Sequence, residues 1–218
     1  RDLHYPLRRQ RQMCIRDRDR RIRKTKSSIK KAFTTLLQYK ELDKITIRDI
    51  TTEADVNRGT FYLHYEDKYM LLSDMEDECI SELAHLTDFN QIDGDTVEAI
   101  SELFIDRVLT KILQHIDDNL DFYQIILQLD RRSKLEEKIS LLIKQNMNRY
   151  MSINHEIDGI PEMYFHSYVA GATINTIKYW VLDPNRISVD ELTHHIYKIV
   201  YNGPLRIMAE YKYKMNHA

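Results

Sequence analysis

Residues 44–71 read KITIRDITTEADVNRGTFYLHYEDKYML, and this stretch decides the fold. Thr46 stands before an apolar-periodic segment and Asp49 follows three residues later, a spacing typical of a capped helix N-terminus. Asn57 is an equally good cap for the next helix, which we expect over residues 58–64. Two short helices joined by a tight turn predict a helix-turn-helix.

The second of these helices carries a glycine that adds nothing to its stability. Gly59 costs about 1 kcal/mol relative to alanine in a helix interior, but a missing side chain lets the backbone approach another molecule closely. Polar tips able to reach phosphates or base edges surround it, namely Arg58, Thr60, Tyr62 and His64. Lys68 opens the following helix, where a phosphate can bind. The pattern indicates a helix that reads DNA, and a solvated face with an incidental glycine is the alternative.

The segment ahead of the helix-turn-helix is basic. Over residues 23–38 the apolar residues fall on one helical face, and lysines occupy the others. Residues 8–18, RRQRQMCIRDR, have no such periodicity and resemble the translation of a sequencing adapter. A natural basic arm reaching into a DNA minor groove is the competing interpretation. We predict that residues 1–18 form a non-native or disordered leader.

Residues 44–71, together with KSSIKKAFTTLL at residues 26–37, closely resemble the DNA-binding domain of the tetracycline-repressor-like (TetR/AcrR) family of bacterial transcription regulators. The resemblance implies a homodimer whose two recognition helices enter successive major grooves of a palindromic operator. Phe61 and Tyr65 match core positions, and Leu63 stands where many members carry a second tyrosine. The resemblance assigns DNA contacts to eight residues: Thr46, Arg48, Arg58, Gly59, Thr60, Tyr62, His64 and Lys68.

Composition narrows the class of protein further. The chain has 218 residues with only 5 Gly and 4 Pro, which argues against a sheet-rich fold because sheets need many tight turns. Its 2 Cys exclude a disulfide framework and fit a reducing compartment. No apolar run approaches the roughly 18 residues that span a bilayer. We therefore expect an all-α, cytoplasmic protein without a membrane partner.

Charge is distributed unevenly along the chain. Residues 1–70 carry 18 Lys and Arg against 10 Asp and Glu, whereas residues 71–218 carry 14 against 24. A basic front on an acidic body is typical of a nucleic-acid-binding domain attached to a regulatory domain. Two unrelated solvated surfaces are the plainer explanation. With the motifs above, we expect residues 19–68 to bind double-stranded DNA and residues 69–218 to form a helical regulatory and dimerisation domain.

The regulatory part reads as a bundle of five or six helices. One is predicted from Thr96 to about His115, with Val97, Ile100, Phe104 and Val108 on one stripe. Residues 152–160 are predicted to be a loop, after which Pro161 opens the next helix.

The last two predicted helices are candidates for a dimer interface. Residues 162–181 are apolar on more than one face, and Ala170-Gly171-Ala172 permits close helix approach. The final helix begins near Ser188, which forms a capping-box pattern with Glu191, and we expect a break at Gly203-Pro204. The resemblance implies that these two helices pair between subunits, and an internal core is the alternative.

A pocket for a small-molecule effector is implied by the resemblance. Its candidate lining residues are Phe104, Tyr123, Met147, Tyr150, Met151, Phe165, His166, Tyr168 and Asn175. Cys79 lies on an apolar stripe and is predicted to be a buried, inert thiol. Adjacent His194 and His195 point about 100° apart on a helix, which disfavours a shared metal. No catalytic motif occurs, so we predict no active site, no cofactor and no metal.

Two functions remain. In the first, the protein is a ligand-responsive homodimeric repressor that binds a palindromic operator. In the second, the helix-turn-helix is a relic and the chain is a coactivator acting through a protein partner. The intact set of Arg58, Thr60, Tyr62, His64 and Lys68 favours the first, because a relic should have lost some of these residues.

Overall fold

A computed structural model describes residues 4–87, 92, 94–129, 133–147 and 156–216, and this part of the chain is almost entirely helical. The all-α prediction is therefore confirmed. The helices are α1 (His4–Leu37), α2 (Ile47–Glu53), α3 (Arg58–Tyr62), α4 (Lys68–Leu86), α5 (Val97–Phe104), α6 (Thr110–Asp118), α7 (Leu120–Gln128), α8 (Leu135–Met147), α9 (Glu162–Leu182), α10 (Val189–Asn202) and α11 (Pro204–Asn216).

Contacts between residues divide the chain into two units, Arg1–Glu76 and Asp77–Ala218. The sequence suggested a boundary after residue 68, but the structural division falls inside α4. The first turns of α4 belong to the first unit because Leu71 and Leu72 are buried in its core.

The first unit is a helix-turn-helix packed on α1. Ile29 and Phe33 of α1, Ile50 of α2 and Phe61 of α3 are all fully buried. Burying a large apolar side chain contributes about 1.5–3 kcal/mol relative to leaving it exposed. These side chains therefore fix the position of α3, which at five residues is too short to be stable alone.

Helix α1 runs into residues 4–18, and a non-native or disordered leader there stays a prediction. The structure continues α1 back to His4, and only residues 1–3 of the leader lie outside the described residues. Starting a helix is the costly step and extending it adds one hydrogen bond per residue. Because α1 is held by its packed C-terminal half, good helix formers such as Arg, Gln and Leu extend it in the N-terminal direction.

The second unit is a helical bundle with its own core. Leu113 of α6, Ile126 of α7, Leu135 of α8 and Val181 of α9 are fully buried. Helix α9 packs along α8 and α7, and α10 packs against α6. Among the described residues, no helix combines the length and the hydrophobicity that a membrane span requires.

The predicted helix over residues 96–115 is continuous but not uniform. A π turn, Ile105–Leu109, joins α5 to α6. Val97 and Ile100 are exposed whereas Val108 is buried, so the stripe predicted from a regular helix does not lie on one face.

A short antiparallel hairpin replaces part of the predicted loop at residues 152–160. Strands β1 (Glu156–Ile157) and β2 (Ile160–Pro161) pair through a two-residue turn. Asp158 and Gly159 have φ values of 50° and 75°. A turn with both central residues in the left-handed region matches the right-handed twist of a hairpin, and Asp-Gly is a strong sequence signal for it. Helix α9 then begins at Glu162, with Pro161 as its N-cap residue.

The helix boundaries near the end of the chain agree with those predicted from the sequence. Ser188 accepts from the backbone N–H of Glu191 at 3.3 Å, and the Ser188 N–H donates to the Glu191 carboxylate at 3.0 Å, so the predicted capping box is confirmed. Gly203, with φ 75°, separates α10 from α11, which confirms the predicted break.

Candidate nucleic-acid interface

The N-terminus of α2 is closed by a reciprocal capping box. The Thr46 side chain accepts from the Asp49 N–H at 3.2 Å, and Asp49 Oδ2 accepts from the Thr46 N–H at 2.9 Å. Lys40 adds an ion pair to the same carboxylate at 3.2 Å. These contacts, led by the Thr46 backbone hydrogen bond, lower the pKa of Asp49 to about 2. The exposed side chain of Arg48 is thus carried on a rigid first turn.

The N-terminus of α3 is capped by Asn57, as predicted. Asn57 Oδ1 accepts from the Thr60 N–H at 2.7 Å and from the Thr60 hydroxyl at 2.9 Å. The hydroxyl proton of Thr60 is therefore used within the chain, and only its lone pairs can meet another molecule. A Cβ at position 59 would lie 3.3 Å from Asn57 Oδ1, so Gly59 also makes room for the cap.

One face of α3 points into solvent and is called here the α3 face. It consists of Arg58, Gly59, Tyr62 and Leu63, all of which are exposed. Thr60 and His64 lie at its edges and are half-buried. The structure thus brings the predicted recognition residues of α3 together on one short helix.

The side of α3 opposite the α3 face is anchored by two aromatic residues that the sequence assigned to the core. Phe61 is fully buried and Tyr65 is 2% exposed. The Tyr65 hydroxyl donates to Asp74 Oδ2 at 2.9 Å, and Lys30 of α1 pairs with the same oxygen at 2.9 Å. Burial alone raises the pKa of Asp74, but the hydrogen bonds from Lys30 and Tyr65 outweigh it and the net pKa is lowered.

In the structure Lys68 makes three hydrogen bonds within the chain, and its predicted phosphate contact stays a prediction. Its ammonium group donates to the backbone carbonyls of Leu42, Asp43 and Ile45 at 2.8, 2.9 and 2.8 Å. An ammonium has three N–H donors, so all of them are used within the chain. Asp67 in addition accepts from the first N–H groups of α4 at 2.8 and 2.7 Å. Lys68 therefore fastens the turn before α2 to the start of α4.

The predicted effector-pocket residues that the structure describes differ in their exposure. Phe165 and His166 are half-buried, and His166 Nε2 donates to the Ser140 carbonyl of α8 at 2.9 Å. Tyr168 is 64% exposed and Asn175 is also exposed, so both lie on the outer side of α9. His166 and Tyr168 point to opposite sides of α9 because two residues along a helix rotate the side-chain direction by about 200°.

The remaining pocket candidates divide in the same way. Phe104 and Met147 are half-buried, while Tyr150 and Met151 lie outside the described residues. Tyr123 is fully packed, and its hydroxyl lies 3.0 Å from Cys79 Sγ. Burial raises the pKa of Tyr123 above its ordinary range. Cys79 is buried, as predicted.

The outer side of α9 is unusually apolar and is called here the α9 face. Tyr164, Tyr168 and Tyr179 are 75%, 64% and 74% exposed. Gly171 lies between them, and a Cβ at this position would meet nothing within 4 Å. Of these tyrosines only Tyr168 is among the predicted site residues, although the four-residue spacing from Tyr164 indicates a shared face.

Similarity to known proteins agrees with this geometry. Residues 31–75 match the family model described as bacterial regulatory proteins, tetR family. Residues 105–202 match the model described as transcriptional regulator C-terminal region. The fold and the α3 face define a helix-turn-helix protein with an appended helical domain. The chain belongs to the TetR family of bacterial regulatory proteins.

Individual relatives are distant. The chain is 27% identical over 198 residues to the uncharacterized HTH-type transcriptional regulator YxbF of Bacillus subtilis (strain 168). That match covers 90% of the chain but 48% of the relative, so the chain spans about half the length of the curated relative.

The matches to solved structures of similar fold extend over nearly the whole length of those structures. A TetR transcriptional regulator from Streptococcus agalactiae 2603V has a TM-score of 0.62 and 25% identity, covering 85% of this chain and 98% of that one. NalD, the secondary repressor of the MexAB-OprM multidrug efflux pump in Pseudomonas aeruginosa, has a TM-score of 0.59 and 18% identity, covering 84% and 97%. The dihydroxyacetone kinase operon activator DhaS has a TM-score of 0.54 and 23% identity, covering 81% and 94%.

Proposed function

We propose that the protein is a transcriptional regulator that binds double-stranded DNA as a homodimer and represses transcription from a palindromic operator. The observation that carries this proposal is the α3 face. A short helix with an exposed arginine and tyrosine, a glycine gap and a buried aromatic anchor suits insertion into a major groove.

The geometry of the first unit supports a set of proposed DNA contacts. Arg58, Gly59 and Tyr62 face the bases, and Thr60 and His64 meet the edges of the groove. Thr46 and Arg48, on the first turn of α2, meet the DNA backbone. Lys68 positions these elements without touching a phosphate, because its donors are bound to carbonyls.

The α9 face supports the dimer. Contiguous exposed apolar surface is uncommon on monomers and marks protein interfaces, in which tyrosine is enriched. Exposed Val200 of α10 adds to the apolar surface of this unit. We propose that α9 and α10 of two subunits pair, because a palindrome requires two recognition helices related by a two-fold axis.

We further propose that a small molecule bound in the second unit releases the DNA. The ligand must bind the DNA-incompetent dimer more tightly than the competent one, because only a difference in affinity moves the equilibrium. We propose that the operator overlaps a promoter, so that a bound dimer excludes polymerase and represses transcription.

The test is selection of binding sites by the full-length protein from a random duplex library, followed by affinity measurements at several salt concentrations. We expect a palindrome with tight, saturable binding. Tyr62→Ala is expected to weaken binding at least about tenfold, in line with loss of a base or phosphate contact, while Leu141→Ala, an exposed site on α8, leaves it unchanged. Weak binding without a selected sequence, erased by salt, would contradict the proposal and favour the coactivator function.

A further inference from the structure

Leu63 is the most anomalous side chain of the α3 face. It is 81% exposed, which is the highest value among the large apolar side chains whose exposure the structure describes. Its neighbours on the α3 face, Arg58 and Tyr62, can both donate hydrogen bonds, whereas a leucine can neither donate nor accept them. Single exposed leucines are common on protein surfaces. This one is notable for lying on the face that the proposed function turns toward DNA.

The backbone places Leu63 beside the glycine gap. The Leu63 N–H donates to the Gly59 carbonyl at 3.1 Å, so Leu63 stands one helical turn after Gly59 on the same side. Its backbone angles, φ -72° and ψ -19°, continue the helix. Because position 59 has no side chain, an approaching surface can come close to the backbone there and be met by the Leu63 isobutyl group.

The major groove offers a leucine only one favourable partner. The base edges there present hydrogen-bond donors and acceptors, and the single apolar group among the four bases is the thymine 5-methyl. Covering a polar edge with an alkyl group removes its water without replacing the hydrogen bond, which is unfavourable. We infer that Leu63 is a specificity-determining residue that contacts a thymine methyl in each half-site. This inference rests on the proposed function.

Deoxyuridine provides a direct test, because it differs from thymidine only by the missing methyl group. Each thymine of the selected operator is replaced in turn, in both half-sites, and affinity is measured for the wild type, Leu63→Ala and Leu141→Ala. At one position we expect the substitution to lower the affinity of the wild type and of Leu141→Ala about fourfold per half-site, or about sixteenfold when both half-sites are changed. Fourfold is the loss of affinity that corresponds to one buried methyl-sized group. Leu63→Ala is expected to bind the two duplexes equally.

The outcomes distinguish a failure of the Leu63 inference from a failure of the proposed function. A methyl-dependent loss in the wild type that disappears in Leu63→Ala supports the inference. Operator binding in which every thymine tolerates replacement, or in which Leu63→Ala keeps the full loss, overturns the inference and leaves the proposed function intact. Absence of any selected operator overturns both. Because Leu63 is exposed, Leu63→Ala is expected to keep the wild-type melting temperature, which confirms that the variant is folded.

Discussion

The α3 face and the α9 face are both exposed, but they expose different chemistry. On the α3 face an arginine and a tyrosine surround a glycine gap, and Leu63 is the one aliphatic side chain. The α9 face instead presents a row of tyrosines around small residues. A polar, cationic face suits a phosphate-lined groove, whereas an apolar face suits a second protein surface.

The two faces are also held in place differently. Helix α3 has only five residues and depends on the Asn57 cap and the Phe61 anchor. Helix α9 has 21 residues and a long contact with α8, so its outer side is free to vary in composition without loss of the helix. The difference teaches that substitutions on the α9 face should affect association alone, while substitutions that support α3 should affect folding as well.

The largest expected effect comes from a charge on the α9 face. Tyr168→Glu places a carboxylate in the proposed dimer interface, where an unpaired buried charge costs several kcal/mol. We expect the dimer association constant to fall at least about 100-fold, measured by sedimentation equilibrium. Tyr39→Glu is the matched control, because Tyr39 is 63% exposed but belongs to the first unit. Equal association of the two variants would remove the α9 face from the interface.

A smaller effect is expected when the contacts of Lys68 that support the helix-turn-helix are removed. Lys68→Met leaves three backbone carbonyls without their donor, and we expect the free energy of unfolding of the first unit to fall by about 2 kcal/mol. The salt dependence of DNA binding should keep its wild-type slope, since no phosphate contact is lost. Lys31→Met, at an exposed position of α1, should change stability by less than about 0.5 kcal/mol.

Denaturation curves and binding isotherms at several salt concentrations measure both quantities. A slope reduced by about 0.9 in Lys68→Met, with unchanged stability, would show that Lys68 neutralises a phosphate after all.

The smallest expected effect is a change in the pKa of a capping carboxylate. Each unit contains a capping box, formed by Thr46 and Asp49 in the first and by Ser188 and Glu191 in the second. The folded-state pKa of Asp49 is lowered from 3.8 to about 2, and that of Glu191 is lowered by its hydrogen bonds to Ser188. A lowered pKa means that the ionised cap stabilises the fold above the ordinary pKa, and that this stabilisation is lost as pH falls from about 4 to 2. Carboxyl titration by NMR should show Thr46→Ala moving the pKa of Asp49 partway back to 3.8 while Glu191 is unaffected.

The sequence predicted best the features that depend on neighbours along the chain. The caps at Thr46, Asn57 and Ser188 are each made by residues three apart, so the pattern alone specifies them. The hydrogen bonds of Lys68 could not be predicted from local spacing because its carbonyl partners lie 23 to 26 residues away. Likewise, the outward position of Tyr168 depends on which side of α9 meets α8, and local periodicity does not determine that side.

The π turn at Ile105–Leu109 affects how this region should be aligned with relatives. A π turn holds one more residue than a regular turn, and one residue corresponds to about 100° of rotation. The buried positions of α6, such as Leu113 and Ile116, are therefore out of phase with the half-buried positions of α5, such as Leu103 and Phe104. A relative lacking that residue keeps the same inward side chains only if its alignment carries a one-residue gap here.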